Sequence, residues 1–181
     1  MKKTPNDFYG VALPEDRYGN PLIVWWPAPG DVGGFRKFSK LDDWRKFVQG
    51  LTLKNEVPEL IAGRFLRAQK LYYFGWTDID LIKVGELCGL IALEFALRDR
   101  YGKKSFASLL RHMCSHDGLT DSDIAIAREN GAPVVGRLTG DTRPTLAEIR
   151  NSMAHGDPFD VLPVSGLLGL IRDLIDYAYR K

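Results

Sequence analysis

The run Leu-Cys-Gly-Leu-Ile-Ala-Leu-Glu-Phe-Ala-Leu at positions 87–97 carries one charge, Glu94. Wound at about 100° per residue, it presents apolar side chains on almost every side. A helix apolar all round must be buried. The run is shorter than the ~20 residues that span a bilayer, so other helices have to bury it. Thr77 and Asp80 are placed to cap its start, and the helical pattern runs over 78–101, the longest in the chain. Gly85 and Gly89 leave room for neighbouring helices to approach closely. Glu94 has two readings. It can sit at the functional edge and hold Arg150, because a buried carboxylate needs a partner. Alternatively it lies on a narrow exposed stripe with Glu86 and Arg98, paired to Arg98 four residues on. The local pattern favours the second.

The candidate neighbours follow from the same periodicity. Val57, Leu60, Ile61, Phe65, Ala68, Leu71 and Tyr72 recur at three–four spacing and predict a helix that ends near Gly75. Its other side carries Arg64, Arg67 and Lys70, read as a solvated face. Phe106, Leu109, Leu110 and Met113 give the buried row of a helix over 103–114, and a capped helix follows over 120–130. Residues 131–142, with Pro133, Gly136 and Gly140, read as a loop. A last helix over 164–179 has a broad apolar stripe. It should pack on the central helix, antiparallel beside a helix over 145–155. Arg172, Asp173, Asp176 and Arg180 form its polar side. The fold class expected is all-α, a small bundle of about five or six helices.

Residues 1–56 differ. Five prolines and five glycines punctuate the first 34 positions and exclude long helices there. Leu22-Ile23-Val24-Trp25-Trp26 reads as one strand or an extended arm. A short helix follows over 39–50, capped by Ser39 or Asp42 and closed by Gly50, with Leu41, Trp44, Phe47 and Val48 on its apolar face. Trp25, Trp26, Phe35, Phe38 and Trp44, beside Arg36, Lys37, Lys40, Arg45 and Lys46, resemble a base-stacking platform. The favoured reading is that the rings pin an irregular arm onto the helical body, because aromatics bury large areas. The division expected is a Pro/Gly-rich aromatic extension over 1–56 and a helical bundle over 57–181.

Several function classes receive no support. A net charge of +2 offers no bulk basicity, so any nucleic-acid binding needs a local patch. Residues 1–5 lack an apolar core, so no secretory signal is expected. Together with the absence of a long apolar run, this predicts a cytoplasmic protein without membrane association. Cys88 and Cys114 have no metal or disulfide spacing. His112, His116 and Asp117 lack a clear further ligand, so neither a metal nor another cofactor is expected. No glycine loop follows a strand as a phosphate-binding loop would.

The chemistry gathers at Arg150-Asn151-Ser152-Met153-Ala154-His155-Gly156. Thr145 and Glu148 form a capping box that opens a helix, and Gly156 with Pro158 closes it, predicting helix over 145–155. Asn151 and His155, four apart, share a face. Arg150 lies about 140° round the axis from His155, within reach of the same edge. Histidine can give or take a proton near neutrality. An arginine fork matches phosphate oxygens and stabilises charge building on them. In-line cleavage of RNA needs both a base and an acid. One copy of the motif supplies one histidine, whereas a two-fold dimer supplies two. The bland reading is a helix end with His155 favourable at the negative end of the dipole.

The segment Ala-Glu-Ile-Arg-Asn-Ser-Met-Ala-His-Gly at 147–156 resembles the signature of the HEPN superfamily: Arg, a polar residue often Asn, a short spacer, then His, late in a small helical bundle. The resemblance covers about residues 57–181, and its specific part is Arg150, Asn151 and His155. It implies an all-α homodimer joined through the motif helix. Many members are metal-independent ribonucleases of toxin–antitoxin and other defence systems, which implies RNA as substrate and an antitoxin or other defence protein as partner. Other members are non-catalytic nucleotide-, RNA- or protein-binding regulators. Arg137 and Arg143, which precede the motif helix, are further candidates for gripping phosphate, and Glu94 is a further candidate of the substrate site through its hold on Arg150.

Overall fold

The computed structural model describes residues 13–27, 34–131, 133–156 and 166–180. Among them are eight helices and one antiparallel pair of strands, so the fold is the all-α bundle expected. No described helix is long and apolar enough to cross a membrane.

The central helix is α3 (Asp80–Tyr101). It packs against α2 (Glu59–Phe74), α4 (Phe106–Ser115), α7 (Leu146–Ala154) and α8 (Leu167–Ala178). The glycines set two of these approaches. A Cβ on Gly85 would lie 3.0 Å from both the Ala68 carbonyl oxygen and the Tyr72 amide nitrogen, so α2 and α3 meet backbone to backbone. A Cβ on Gly89 would meet Leu168 Cδ1 at 3.0 Å and Ile171 Cδ1 at 3.1 Å, where α8 crosses. Leu90, Leu93, Ala96 and Leu97 are fully buried as a result. The coat is incomplete, however. Val84 and Ile91 remain exposed and Phe95 half-buried, because these neighbours leave one side of α3 open.

Its start differs from expectation. Ile79 occupies the N-cap without a side-chain bond. The Thr77 hydroxyl instead donates to the Phe74 carbonyl at 2.9 Å, closing α2, and Asp78 rather than Asp80 supplies the carboxylate, accepting from the Asp80 amide at 3.1 Å.

Glu86 is also not on an exposed stripe. It is buried, with Lys83 as its charged partner among the described residues at 3.4 Å, and burial pushes its pKa from 4.5 to about 7. The unfolded chain therefore releases this proton first as pH rises. Stability falls between about pH 4.5 and 7 and stays lowered above, by roughly 3–4 kcal/mol at 1.4 kcal/mol per unit. Glu86→Gln should be more stable than wild type at pH 8 by up to that amount and nearly equal to it at pH 4. Urea midpoints at the two pH values check this, and a gain that does not grow with pH would show that desolvation of the carboxylate is not the cause.

The N-terminal segment joins the same core. Strands β1 (Leu22–Trp25) and β2 (Phe35–Phe38) pair with Leu22 opposite Phe38 and Trp25 opposite Phe35. The second strand was not legible from its sequence, Phe-Arg-Lys-Phe, which does not alternate. Helix α1 (Leu41–Gln49) follows, and neither Ser39 nor Asp42 is its N-cap. That place falls to Lys40, because residues 39–41 are held in extended pairing: Ser39 and Glu15 carbonyls accept from Arg17 and Leu41 amides at 2.8 and 2.9 Å. The aromatic rings pin the arm. Trp44 is fully buried, donates Nε1 to the Tyr73 carbonyl at 2.8 Å and stacks on Tyr72. Trp26 meets Phe47 edge-on at 4.7 Å. Of the five proposed stacking rings, Trp26, Phe38 and Trp44 are buried, Trp25 is half-buried and Phe35 is 67% exposed.

Between α4 and α7 the expected helix over 120–130 is broken. A 3₁₀ turn at Asp121–Asp123 precedes α5 (Ala125–Asn130), with buried Ile124 extended between them. Thr120 spends its amide and hydroxyl on the Asp123 carboxylate, so the capping pair serves the turn. The expected loop contains α6 (Val135–Thr139), whose start is held by Asp121 accepting from the Val134 and Val135 amides at 2.6 and 2.9 Å. Helix α8 packs on α3, as expected, but its second neighbour is α5 rather than α7. Asp173 is accordingly not part of a polar face. It is buried and accepts from the Ile126 amide of α5 at 3.0 Å.

Candidate functional site

Helix α7 has the ends its sequence predicts. Thr145 is the N-cap. Its hydroxyl accepts from the Glu148 amide at 3.1 Å, and the Glu148 carboxylate accepts from the Thr145 amide at 2.8 Å. His155 is the C-cap, with its amide donating to the Asn151 and Ser152 carbonyls. Gly156 follows at φ +79°, a conformation L side chains rarely adopt. Leu146, Ile149 and Met153 bury one face, and the helix packs on α3, α4 and α6. Thr145→Ala should cost about 1 kcal/mol by loss of the cap. Chemical denaturation measures that loss, and an unchanged midpoint would show that the box contributes nothing.

The far end of α7 holds the motif. Asn151 and His155 are exposed. Arg150, 28% exposed, turns from its helix onto α3 and forms an ion pair with Glu94, whose side chain is 7% exposed. Its Nη1 donates to Asn151 Oδ1 at 2.9 Å. Its Nε is buried without a hydrogen-bond partner among the described residues. The other Glu94 oxygen accepts from Arg98 Nη2 at 2.7 Å. One buried carboxylate thus bridges two guanidiniums. The exposed stripe expected for Glu94 is absent. The pairing with Arg98 is present, and the contact with Arg150 is present beside it.

This arrangement has a clear electrostatic logic. A carboxylate taken out of water is costly unless paired and hydrogen-bonded, and here each oxygen has a guanidinium. Two cations share one anion, which leaves the cluster net positive. Arg150 is oriented before any ligand arrives, so binding an anion need not immobilise it.

The other proposed phosphate ligands lie elsewhere. Arg137 donates to the Pro144 carbonyl at 2.9 Å, and Arg143 pairs with Glu148. Both therefore sit at the N-terminal end of α7. Thr145 and His155 are ten residues apart, or about 15 Å of helix, so this pair is not gathered with the motif. Arg98 is the residue that sequence reasoning undervalued. Its spacing to Glu94 was visible, but its connection through Glu94 to Arg150 was not.

Among the described residues, the other polar groups do not form a second reactive centre. The His112 and His116 rings contact each other at 4.4 Å, while Asp117 accepts from the Tyr101 hydroxyl at 2.5 Å. No group of three metal-ligating side chains occurs among the described residues. Cys88 and Cys114 are free, and burial raises both thiols, Cys114 to about 11, so neither is an activated nucleophile. No family model matches the sequence, and no curated protein or solved structure matches the chain.

Proposed function

We propose that this protein is a metal-independent endoribonuclease of HEPN type, acting as a homodimer in a toxin or anti-phage defence setting. The observation that carries the proposal is the anchored guanidinium of Arg150, tied to Glu94 and Asn151 on the helix that ends in exposed His155. In this reading His155 takes the proton of the RNA 2′-hydroxyl. The 2′-oxygen attacks the adjacent phosphorus in line, and Arg150 stabilises the pentacovalent phosphorane. His155 of the partner subunit then protonates the departing 5′-oxygen. The products are a 2′,3′-cyclic phosphate and a 5′-hydroxyl. Asn151 holds Arg150 in place. Charge stabilisation that a divalent cation supplies in other nucleases is assigned here to arginine.

A second reading takes the same cluster as a binding device. With both guanidiniums anchored on Glu94, the site suits a nucleotide or RNA phosphate that is held and not cut, within a regulatory dimer. Incubation with tRNA and a structured RNA in EDTA, followed by end-group analysis, separates the two. Cleavage by wild type but not by His155→Ala, leaving cyclic phosphate, is the expected result. RNA retained but uncut by the wild type would favour the binding dimer.

A further inference from the structure

The motif alone offers few phosphate ligands, since Arg150 is largely engaged. A strand of RNA needs contacts on either side of the scissile bond, and the whole chain carries an excess of only two positive charges. Where that excess is concentrated decides where a strand can lie.

Two clefts compare directly. One, of about 450 Å³, lies beside α5 and α8 and mixes four cations with three carboxylates. Its arginines are occupied: Arg172 donates to the Gly50 carbonyl and Asp173, and Arg180 to the Tyr177 and Asp117 carbonyls. The other, of about 720 Å³, lies at the corner between α3 and α4 and is lined by Phe95, Arg98, Asp99, Lys103, Lys104 and Ser105. Three cations face one carboxylate there, an excess equal to that of the entire chain. The carboxylate is partly satisfied, because Asp99 accepts from the Tyr179 hydroxyl at 2.8 Å. Lys103 and Lys104 are exposed, and neither forms an ion pair with a described residue.

This second cleft is joined to the motif through one side chain. Arg98 lines the cleft, is 50% exposed and holds the Glu94 carboxylate that also holds Arg150. Phe95, one turn before Arg98, lines the same cleft with the Arg64 guanidinium 4.0 Å from its ring centroid. Arg98 therefore belongs both to the cleft that holds Lys103 and Lys104 and to the carboxylate bridge that holds Arg150, with an aromatic ring beside it.

We propose that this cleft is the strand-binding part of the site, where Arg98, Lys103 and Lys104 contact consecutive phosphates of single-stranded RNA leading away from the phosphate at Arg150. The identity of the strand rests on the ribonuclease reading above. The lysines act as mobile point charges on the backbone and confer no sequence preference. Phe95, with the Arg64 guanidinium over its ring, forms a wall of the cleft.

Binding is measured in the full-length His155→Ala chain, so that cleavage does not interfere. The probe is a fluorescein-labelled oligouridylate of about ten nucleotides, within the span of known single-strand sites. Each phosphate contact adds about 0.7 to the slope of log affinity against log salt for single strands. Adding Lys103→Ala and Lys104→Ala together should lower the slope by about 1.4 and weaken binding roughly tenfold at about 0.15 M salt. Adding Lys54→Ala and Arg128→Ala instead, the same charge change in the other cleft, should leave both unchanged. In the otherwise wild-type chain, the lysine pair should raise KM by the same factor with kcat preserved.

An unchanged slope, an equal drop in the control pair, or no binding of the probe before the lysines are changed overturns the proposal. The catalytic reading fails separately. Cleavage surviving His155→Ala would remove it without touching the binding result, and an unchanged salt slope would remove the cleft while cleavage stands.

Discussion

Glu94→Ala should lose about 3 kcal/mol of stability, at the lower end of what breaking a buried ion pair costs. The carboxylate is almost wholly buried and satisfies guanidiniums from two helices. Removing it leaves two like charges facing a cavity. Arg98, half exposed, can swing into water, which is why the loss does not reach the upper end of the range. Arg150, nearly three-quarters buried, has less freedom and its Nε already lacks a partner among the described residues. On the proposed function, the displaced guanidinium also lowers the cleavage rate, by about 10²-fold for a misplacement near 1 Å. Arg150→Ala should show the opposite balance: a smaller loss of stability, because Glu94 keeps Arg98, and a larger loss of activity. Glu94→Gln retains an acceptor for Arg150 and should recover part of both losses. Urea denaturation and single-turnover cleavage of the three variants check the pattern. Wild-type stability in Glu94→Ala would show that the bridge is not a structural element.

His155→Ala should lower cleavage by at least about 10³-fold, since a two-fold dimer then lacks both its base and its acid. The stronger test is mixing. If each cleavage event needs His155 from both subunits, a heterodimer of wild type and His155→Ala is inactive. Equal amounts, exchanged to equilibrium by co-refolding, should retain about a quarter of the activity expected for undiluted wild type, whereas independent subunits would retain about half. The substitution is at an exposed helix cap, so folding and association should persist, which circular dichroism and light scattering verify. Half-activity at equal mixing would defeat the shared-site mechanism even if the single variant is inactive.

Much of the frame was legible because it depends on neighbours in sequence. The ends of α7 follow from Thr145, Glu148 and Gly156, all within one helix length of each other. The buried row of α4 (Phe106, Leu109, Leu110 and Met113) follows from helical period alone. Where a residue has two possible local uses, the choice was not visible. Thr77 closes α2 instead of opening α3, and Thr120 stabilises a single turn instead of a helix. Strand β2 exists because β1 pairs with it, and its own pattern carries no such signal.

The sequence by itself determined that α3 is central, that glycines admit its neighbours, and that an arginine, an asparagine and a histidine share the end of one short helix. These are consequences of spacing, capping and side-chain size. Tertiary structure alone decided what those residues meet. Glu94 and Arg150 are 56 positions apart, and their contact depends on how α7 crosses α3. The same crossing connects Arg98 to the motif through Glu94, and the packing of the rest of the core sets α8 against α5. Helical periodicity says which face a side chain occupies, but the angle and register at which two faces meet come from packing of the whole core.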